Sequence, residues 1–195
     1  MAKDLGKEDW LKAARLALLE GGVGAVRIEK LARDLRVTKG SFYWHFKDRE
    51  QLLEALLREW EEEKSLLADV ANEDDMGDAL TKFFKELERR CIVSEKGEWS
   101  SDAAIFAWAA VSPEVAQRAN KEERARIQML KSVCYQDAAA EYVYMAYLGF
   151  LMRRRRLPEA AKTYPIFAQI SKELLLNGPR TQKLKPKKMH REKSL

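Results

Sequence analysis

Apolar side chains recur along most of the chain at intervals of three and four residues, which is the spacing of one face of an α-helix. In the first such segment, Leu11, Ala14 and Leu18 form a stripe that ends before Gly21-Gly22. Alternating apolar and polar stretches, which are typical of strands, are few. The pattern therefore predicts an all-α protein of about nine helices.

The predicted helices follow one another with short connections. They cover approximately residues 7–19, 28–35, 39–46, 48–71, 79–92, 101–111, 113–135, 137–155 and 158–176. Thr38 and Asp48 stand at two of the predicted starts, where a side-chain oxygen can cap the first turn. Asn72–Asp78 is acidic and contains Gly77, so we interpret it as the joint between two parts of the chain.

Two of the short helices, 28–35 and 39–46, have the spacing of a helix-turn-helix around Arg36-Val37. In such a motif the second helix enters the major groove of DNA. At 100° per residue, Phe42 and Phe46 share one face, which we expect to pack inward.

The opposite side of this second helix offers a small residue, hydrogen-bonding groups, cations and large flat rings. The candidate DNA-contacting residues here are Lys39, Gly40, Ser41, Tyr43, Trp44, His45 and Lys47. The glycine lets a DNA backbone approach closely, the hydroxyl and imidazole groups can donate to phosphate oxygens, and the lysines neutralise phosphates. The alternative is a helical hairpin whose aromatic rings only pack in a core. An outward Trp44 argues against it.

The segment Ala25–Leu53, and within it VTKGSFYWHFKDREQLL, resembles the DNA-binding domain of the TetR family of bacterial transcriptional regulators. The resemblance extends over about Trp10–Leu57. It implies a helix-turn-helix DNA-binding domain in residues 1–50 and a helical effector-binding and dimerisation domain in residues 51–178. The remaining residues, 179–195, are basic, and we expect them to be disordered.

The resemblance also implies roles by position. Base edges would be faced by Lys39, Gly40, Ser41 and Trp44, and phosphates would be bound by Tyr43, His45 and Lys47. Thr38 would cap the recognition helix, and Arg49 would lie near the DNA backbone.

Two positions depart from the family pattern. Arg27 stands where a hydroxyl often begins the second helix; it can reach a phosphate but cannot cap the helix as a hydroxyl does. Arg36 stands where the turn usually has glycine. A non-glycine residue with positive φ costs energy, so Arg36 leaves the geometry of the turn open.

In the resembling family the second half binds a small effector and forms the dimer. Aromatic side chains crowd this half and suit a cavity for an apolar or aromatic ligand. The effector-binding candidates are Phe83, Trp99, Phe106, Trp108, Tyr135 and Tyr142. For any one of them, ordinary core packing is the alternative.

The last two predicted helices, about 137–155 and 158–176, have small residues among aromatic ones. We expect them to pair with a second copy as a four-helix bundle. Such a homodimer would place two recognition helices about 34–36 Å apart on a near-palindromic operator.

Charge adds little to this picture. The net charge is +5, but residues 177–195 hold seven Lys/Arg and one acid, so the rest of the chain is close to neutral. We interpret Arg153–Arg156 as cations at a helix C-terminus. The alternative is a contact with a phosphate or an acidic effector.

The sequence has no features of an enzyme, a metalloprotein, a disulfide scaffold or a membrane protein. The only histidines are His45 and His190, and there is no Walker loop, G-x-S-x-G or C-x-x-C motif, so we expect neither catalysis nor a cofactor nor a metal. Cys91 and Cys134 exclude a disulfide scaffold and leave a redox role open. The N-terminus lacks a secretory h-region, and the longest apolar stretch has eleven residues, too few to cross a bilayer. We therefore expect a cytoplasmic protein that joins the nucleoid when bound to DNA.

The sequence thus predicts a DNA-binding transcriptional regulator. Its expected form is a homodimeric repressor that a small apolar or aromatic effector releases from the operator. The alternative is a helical small-molecule-binding or adaptor protein in which the helix-turn-helix is only structural. Repressor against activator, the effector and the operator are left open.

Overall fold

The computed structural model describes residues 5–62, 75–93, 101–132, 134 and 137–177. Within these ranges the chain forms nine α-helices and no strand, which confirms the predicted all-α class. They are α1 (Lys7–Gly21), α2 (Ile28–Asp34), α3 (Lys39–Phe42), α4 (Arg49–Glu62), α5 (Met76–Glu88), α6 (Asp102–Ala109), α7 (Pro113–Ser132), α8 (Asp137–Arg156) and α9 (Tyr164–Asn177). None of the helices described is long and apolar enough to cross a membrane.

Local hydrogen bonds explain where several helices begin. The Asp48 carboxylate accepts from the backbone N–H of Gln51 at 2.8 Å, so the predicted cap of α4 is present. Asp75 accepts from the N–H of Asp78 at 2.7 Å, and α5 therefore starts at Met76 rather than at residue 79. The predicted side-chain cap by Thr38 is absent, although Thr38 does hold the N-cap position of α3.

Three short segments depart from α-helical geometry. Val23–Ala25 and Pro158–Thr163 are 3₁₀ turns, and Arg89–Val93 extends α5 as a π-helical turn. The helix predicted over 158–176 is therefore a 3₁₀ turn followed by α9. The predicted continuation of α4 to residue 71 and the basic tail lie outside the described residues.

The first of two apolar clusters fills the space between α1, α2, α3 and α4. Leu11, Ala14 and Leu18, the stripe predicted for α1, are buried in it. The cluster continues into the second half through Ile105 of α6 and Ala119 of α7. The domain boundary drawn at residue 50 stays a prediction, and no break in the apolar core marks that position.

The second cluster lies between α5, α8 and α9. Leu80, Val143 and Leu175 are at its centre, each no more than 3% exposed. The buried Tyr164 hydroxyl donates to the carbonyl of Phe84 at 2.6 Å, which joins the start of α9 to α5. The two clusters together give α4 and α6 a position between the N-terminal helices and the remainder of the fold.

A buried carboxylate connects α4 to three helices of the second half. Asp102 Oδ1 accepts from Trp60 Nε1 at 2.6 Å and from Arg126 Nη1 at 2.7 Å, and its Oδ2 accepts from the Tyr147 hydroxyl at 2.9 Å. The Arg126 guanidinium also lies 5.0 Å from the centre of the Trp60 ring. Burial by itself raises the pKa of Asp102, but Arg126 and the other donors hold that pKa below its usual range.

A second polar contact fixes α4 against α7. Arg118 Nε and Nη2 donate to the two carboxylate oxygens of Glu61 at 2.7 and 2.6 Å, and Nη1 donates to Glu54 at 2.6 Å. A guanidinium held by two acids two turns apart on one helix resists both sliding and rotation of α4. Movement of α7 is therefore coupled mechanically to α4.

Candidate nucleic-acid interface

The position of α3 is fixed by aromatic packing on its inner side. Phe42 and Phe46, the pair predicted to face inward, are 0% and 2% exposed. Their rings stack 5.5 Å apart, and Trp10 of α1 meets Phe42 edge-on at 5.2 Å. The predicted helix over 39–46 is regular only to Phe42, after which a looser turn continues, closed by a bond from the N–H of Phe46 to the carbonyl of Phe42.

The turn between α2 and α3 forms despite the missing glycine. Arg36 has a φ of 59°, in the left-handed region that favours glycine. Its N–H donates to the carbonyl of Arg33 at 3.0 Å, and the N–H of Val37 donates to that of Ala32 at 2.9 Å. These two bonds are a Schellman motif. Arg36 thus adopts the geometry of the motif at a conformational cost.

The outer side of α3 and of the turn that follows it presents large apolar rings to solvent. Trp44 is 82% exposed, the highest value among the large hydrophobic residues described, and Tyr43 is 52% exposed. A Cβ added at Gly40 would meet its nearest neighbour, Thr38 Oγ1, at 3.6 Å, an ordinary contact distance. The fold therefore does not itself require glycine at this position, nor does it cover the Trp44 ring.

Lys39, at the start of α3, pairs with α2. Its Nζ lies 2.5 Å from Glu29 Oε1. This hydrogen bond raises the pKa of Lys39 and lowers that of Glu29. The pair holds the Lys39 ammonium beside Glu29 and leaves two of its three N–H donors for another acceptor. A phosphate contact by Lys39 stays a prediction. Lys47 is exposed on the same surface.

Ser41 and His45 are half-buried beside this surface. The Ser41 hydroxyl donates to the carbonyl of Thr38 at 3.0 Å, so its one hydrogen is used within the turn. Arg27 is exposed, precedes α2 without capping it through its side chain, and donates from Nε to the carbonyl of Gly24 at 3.0 Å. Contacts of these three residues with DNA stay predictions.

Arg49 has a structural role that sequence reasoning missed. Its Nε donates to the carbonyl of Val26 and its Nη2 to that of Val23, both at 2.7 Å. Nη1 lies 3.8 Å from Glu50. Arg49 therefore fastens the start of α4 to the loop before α2, and a phosphate contact by Arg49 stays a prediction.

The four effector-binding candidates that the structure describes lie on different sides of their helices. Phe106 and Trp108 of α6 pack against the first cluster, with Phe106 edge-on to Trp60 at 6.2 Å. Phe83 packs against the second cluster, and Tyr142 is 57% exposed on the outside of α8. The remaining two candidates, Trp99 and Tyr135, lie outside the described residues. The four described rings thus belong to different packing surfaces, and a role for any of them in effector binding stays a prediction.

Comparison with known proteins places the similarity at this interface. Residues 11–56 match the model of the tetR family of bacterial regulatory proteins. The Transposon Tn10 TetC protein of Escherichia coli is 41% identical over 49 residues, 25% of each chain. The HTH-type transcriptional regulator TtgR of Pseudomonas putida is 33% identical over 70 residues, 36% of this chain and 33% of TtgR. The similarity thus spans a quarter to a third of these relatives.

Solved structures share the fold over most of the chain. A transcriptional regulator from Rhodococcus sp. Rha1 superposes with a TM-score of 0.67 at 17% identity, covering 88% of this chain and 96% of the other. A regulator of the TerR/AcrR family from Aquifex aeolicus VF5 gives a TM-score of 0.55 at 20% identity, covering 86% and 95%. At these identities the likeness shows a common fold.

Proposed function

From the match of residues 11–56 to the TetR family of bacterial regulatory proteins, we propose that the chain is a DNA-binding transcriptional regulator of that family. The observation that carries the proposal is the outer side of α3 and of the turn that follows it. Trp44 and Tyr43 expose apolar rings there, beside Gly40 and the cations Lys39 and Lys47. An exposed apolar patch rimmed by polar groups is typical of an interaction surface.

The chemistry of this surface suits duplex DNA. Lysine and hydroxyl groups position a protein on phosphates, and groups on the exposed helix side contact base edges. Gly40 adds a place where the DNA backbone or a base can come within contact of the main chain, because no Cβ intervenes.

We further propose a homodimer through α8 and α9. Along α8 the outward positions repeat at intervals of three and four residues, and α9 adds two isoleucines. They are Tyr142, Met145, Gly149 and Met152 on α8, and Ile166 and Ile170 on α9. The apolar side chains of this set, which we call the outer face, are 45–62% exposed. An isologous pair of such faces buries them as a four-helix bundle and presents two recognition helices to one near-palindromic site.

The proposed activity is repression that a small apolar effector relieves. Arg118 and Asp102 fasten α4 to α6, α7 and α8, and α4 continues from the DNA-binding helices. An effector that favours another placement of α6 or α7 therefore moves α4 and changes the spacing of the two recognition helices. A difference of about 1–3 kcal/mol in effector affinity between the two states suffices for such coupling.

The test is fluorescence anisotropy with a labelled duplex from immediately upstream of the gene, titrated across salt, with a shuffled duplex as control. We expect a preference of about a thousandfold for the upstream duplex. Trp44→Ala is expected to abolish that preference without changing the fold, since an 82% exposed ring contributes little to stability. Gly40→Ala is also expected to weaken binding, because its methyl group fits the free protein but faces the DNA.

Lys162→Ala supplies the control, as Lys162 is exposed in the 3₁₀ turn before α9. It should bind as the unmodified protein does. Equal, weak binding of both duplexes, unaffected by Trp44→Ala, would favour the adaptor hypothesis instead. Equal, weak binding of every duplex in a genome-derived library would exclude an operator elsewhere in the genome.

A further inference from the structure

A cavity of about 460 Å³ lies where the DNA-binding helices meet the second half of the chain. Leu16, Leu19 and Glu20 of α1 form one wall. The opposite walls come from α6, from the π-helical turn at Cys91, and from the end of α8 with Pro158. We call this space the junction cavity. Its volume lies in the range of small-molecule sites.

Most of the wall of the junction cavity is apolar. Ala103 and Ala104 of α6 and Leu151 of α8 face the cavity together with the two leucines of α1. Cys91 is 2% exposed, and burial raises the pKa of its thiol to about 12, so it contributes a neutral surface rather than a thiolate.

Leu16 shows that the internal packing of the fold does not fill this space. It is 37% exposed and belongs to neither apolar cluster, although Ala17 and Leu18, which follow it in α1, are almost fully buried. An apolar occupant of the cavity would cover the Leu16 side chain and remove that surface from water, which stabilises the bound state.

The charged part of the wall favours an anion. Arg154 and Arg155 lie at the C-terminal end of α8, and Glu20 is the one acid among the lining residues described, which leaves a net charge of +1. Arg154 is half-buried, and burial lowers its pKa. A guanidinium removed from water gains more from a carboxylate or sulfonate than an exposed one does, and it can bind such a group with two hydrogen bonds.

We propose that the junction cavity binds an apolar small molecule that carries one anionic group, with its apolar body against Leu16 and Ala103 and its anion at Arg154 and Arg155. Its regulatory consequence rests on the proposed function. One wall belongs to α1 and the others to the second half, so a ligand that fits only one relative placement shifts the population of DNA-binding states.

Two dyes with nearly the same ring system test the site without DNA. The anionic dye is 8-anilino-1-naphthalenesulfonate, and its neutral counterpart is N-phenyl-1-naphthylamine. We expect saturable fluorescence enhancement of both at one dye per chain. Leu16→Trp is expected to remove both signals, because the larger ring fills the cavity from a partly exposed position. Its circular dichroism melting curve checks that the fold is intact.

Arg155→Gln separates the two dyes. It is expected to lower the affinity for the anionic dye about fivefold, which corresponds to the loss of a partly exposed ion pair. The affinity for the neutral dye should stay unchanged. Arg156→Gln is the matched control, because Arg156 is exposed at the same helix end and is not among the lining residues. It should change the affinity for neither dye.

Three results would overturn the proposal: no saturable binding of either dye, signals that survive Leu16→Trp in a folded protein, or equal effects of Arg155→Gln and Arg156→Gln on the anionic dye. Because no DNA is present, failure of the unmodified protein to bind DNA would overturn the proposed function alone and leave the junction cavity as a binding site.

Discussion

Arg36 is a residue that the turn between α2 and α3 accommodates at a cost. A φ of 59° costs a non-glycine residue about 1–2 kcal/mol in the folded state. Glycine would avoid this cost, but its larger conformational entropy in the unfolded state would offset part of the gain. We therefore predict that Arg36→Gly raises the free energy of unfolding by about 0.5–1 kcal/mol, measured by urea denaturation.

Arg36→Ala is the control for this prediction. It removes the same charge and side chain but keeps the Cβ that disfavours positive φ. Its stability should not exceed that of the unmodified protein. Equal stability of the glycine and alanine variants would show that backbone strain at this turn is negligible.

Single residues of the recognition surface were predictable because a short helix with few apolar positions allows one orientation. With Phe42 and Phe46 as its only strongly apolar pair four residues apart, the predicted helix over 39–46 can pack in one way, and the structure buries both. Trp44 must then face outward, as found. The structural role of Arg49 was not predictable, because its partners are backbone carbonyls, which have no sequence signal.

The Asp102 network is one of the contacts that join α4 to the second half. We predict that Arg126→Met lowers the free energy of unfolding by about 3 kcal/mol, because a carboxylate only 4% exposed then lacks its cation. Arg124→Met on the same helix is the control, since Arg124 is exposed. Chemical denaturation of both variants at pH 7 measures the difference.

The same variant should change the dependence of stability on pH. In the unmodified protein the folded-state pKa of Asp102 is below its usual value near 4, so its stabilising effect is present above about pH 4 and lost as pH falls through the folded-state pKa. Without Arg126, burial dominates and the pKa rises. The loss of unfolding free energy in Arg126→Met, relative to the unmodified protein, should thus become smaller as the pH falls from about 7 to about 4.5. A loss that stays constant over this interval would contradict the role assigned to Arg126.

Helices with two apolar sides explain why the sequence does not show which aromatic rings share a space. In α8, Val143 and Tyr144 pack inward while Tyr142 and Met145 face solvent, and their letters alone do not tell the two sides apart. The network was missed for a related reason. Asp102 begins an apolar helix, and this position is only a weak signal of a structural role for its carboxylate. Arg126 is one of several cations in α7, and nothing in the sequence distinguishes it from the others.

The first cluster continues from the N-terminal helices into the second half of the chain. Leu52 and Leu56 of α4 share it with Ile105 of α6 and Val115 of α7. Among the described residues, α1 to α4 therefore share their core with the second half. A change in the packing of α6 or α7 reaches α1 and α4 directly, as the proposed release of DNA by an effector requires. Such continuity depends on tertiary contacts that helical periodicity does not encode.

The outer face of α8 and α9 gives the prediction that tests the molecule as an assembly. Met145 is 62% exposed near the middle of this face. Met145→Glu places a charge where two copies would meet, and burying an unpaired carboxylate costs several kcal/mol, so the dimer should dissociate. Light scattering is expected to give twice the 22.5 kDa of one chain for the unmodified protein and the single mass for the variant.

Val111→Glu is the matched control for the dimer prediction, because Val111 is a 75% exposed apolar residue after α6, away from the outer face. It should stay dimeric. The monomeric variant should keep its helices and lose most of its operator affinity, since each chain then binds one half-site without the second. A Met145→Glu protein that scatters as a dimer would mean that another surface joins the two chains, and the spacing expected for the recognition helices would no longer follow.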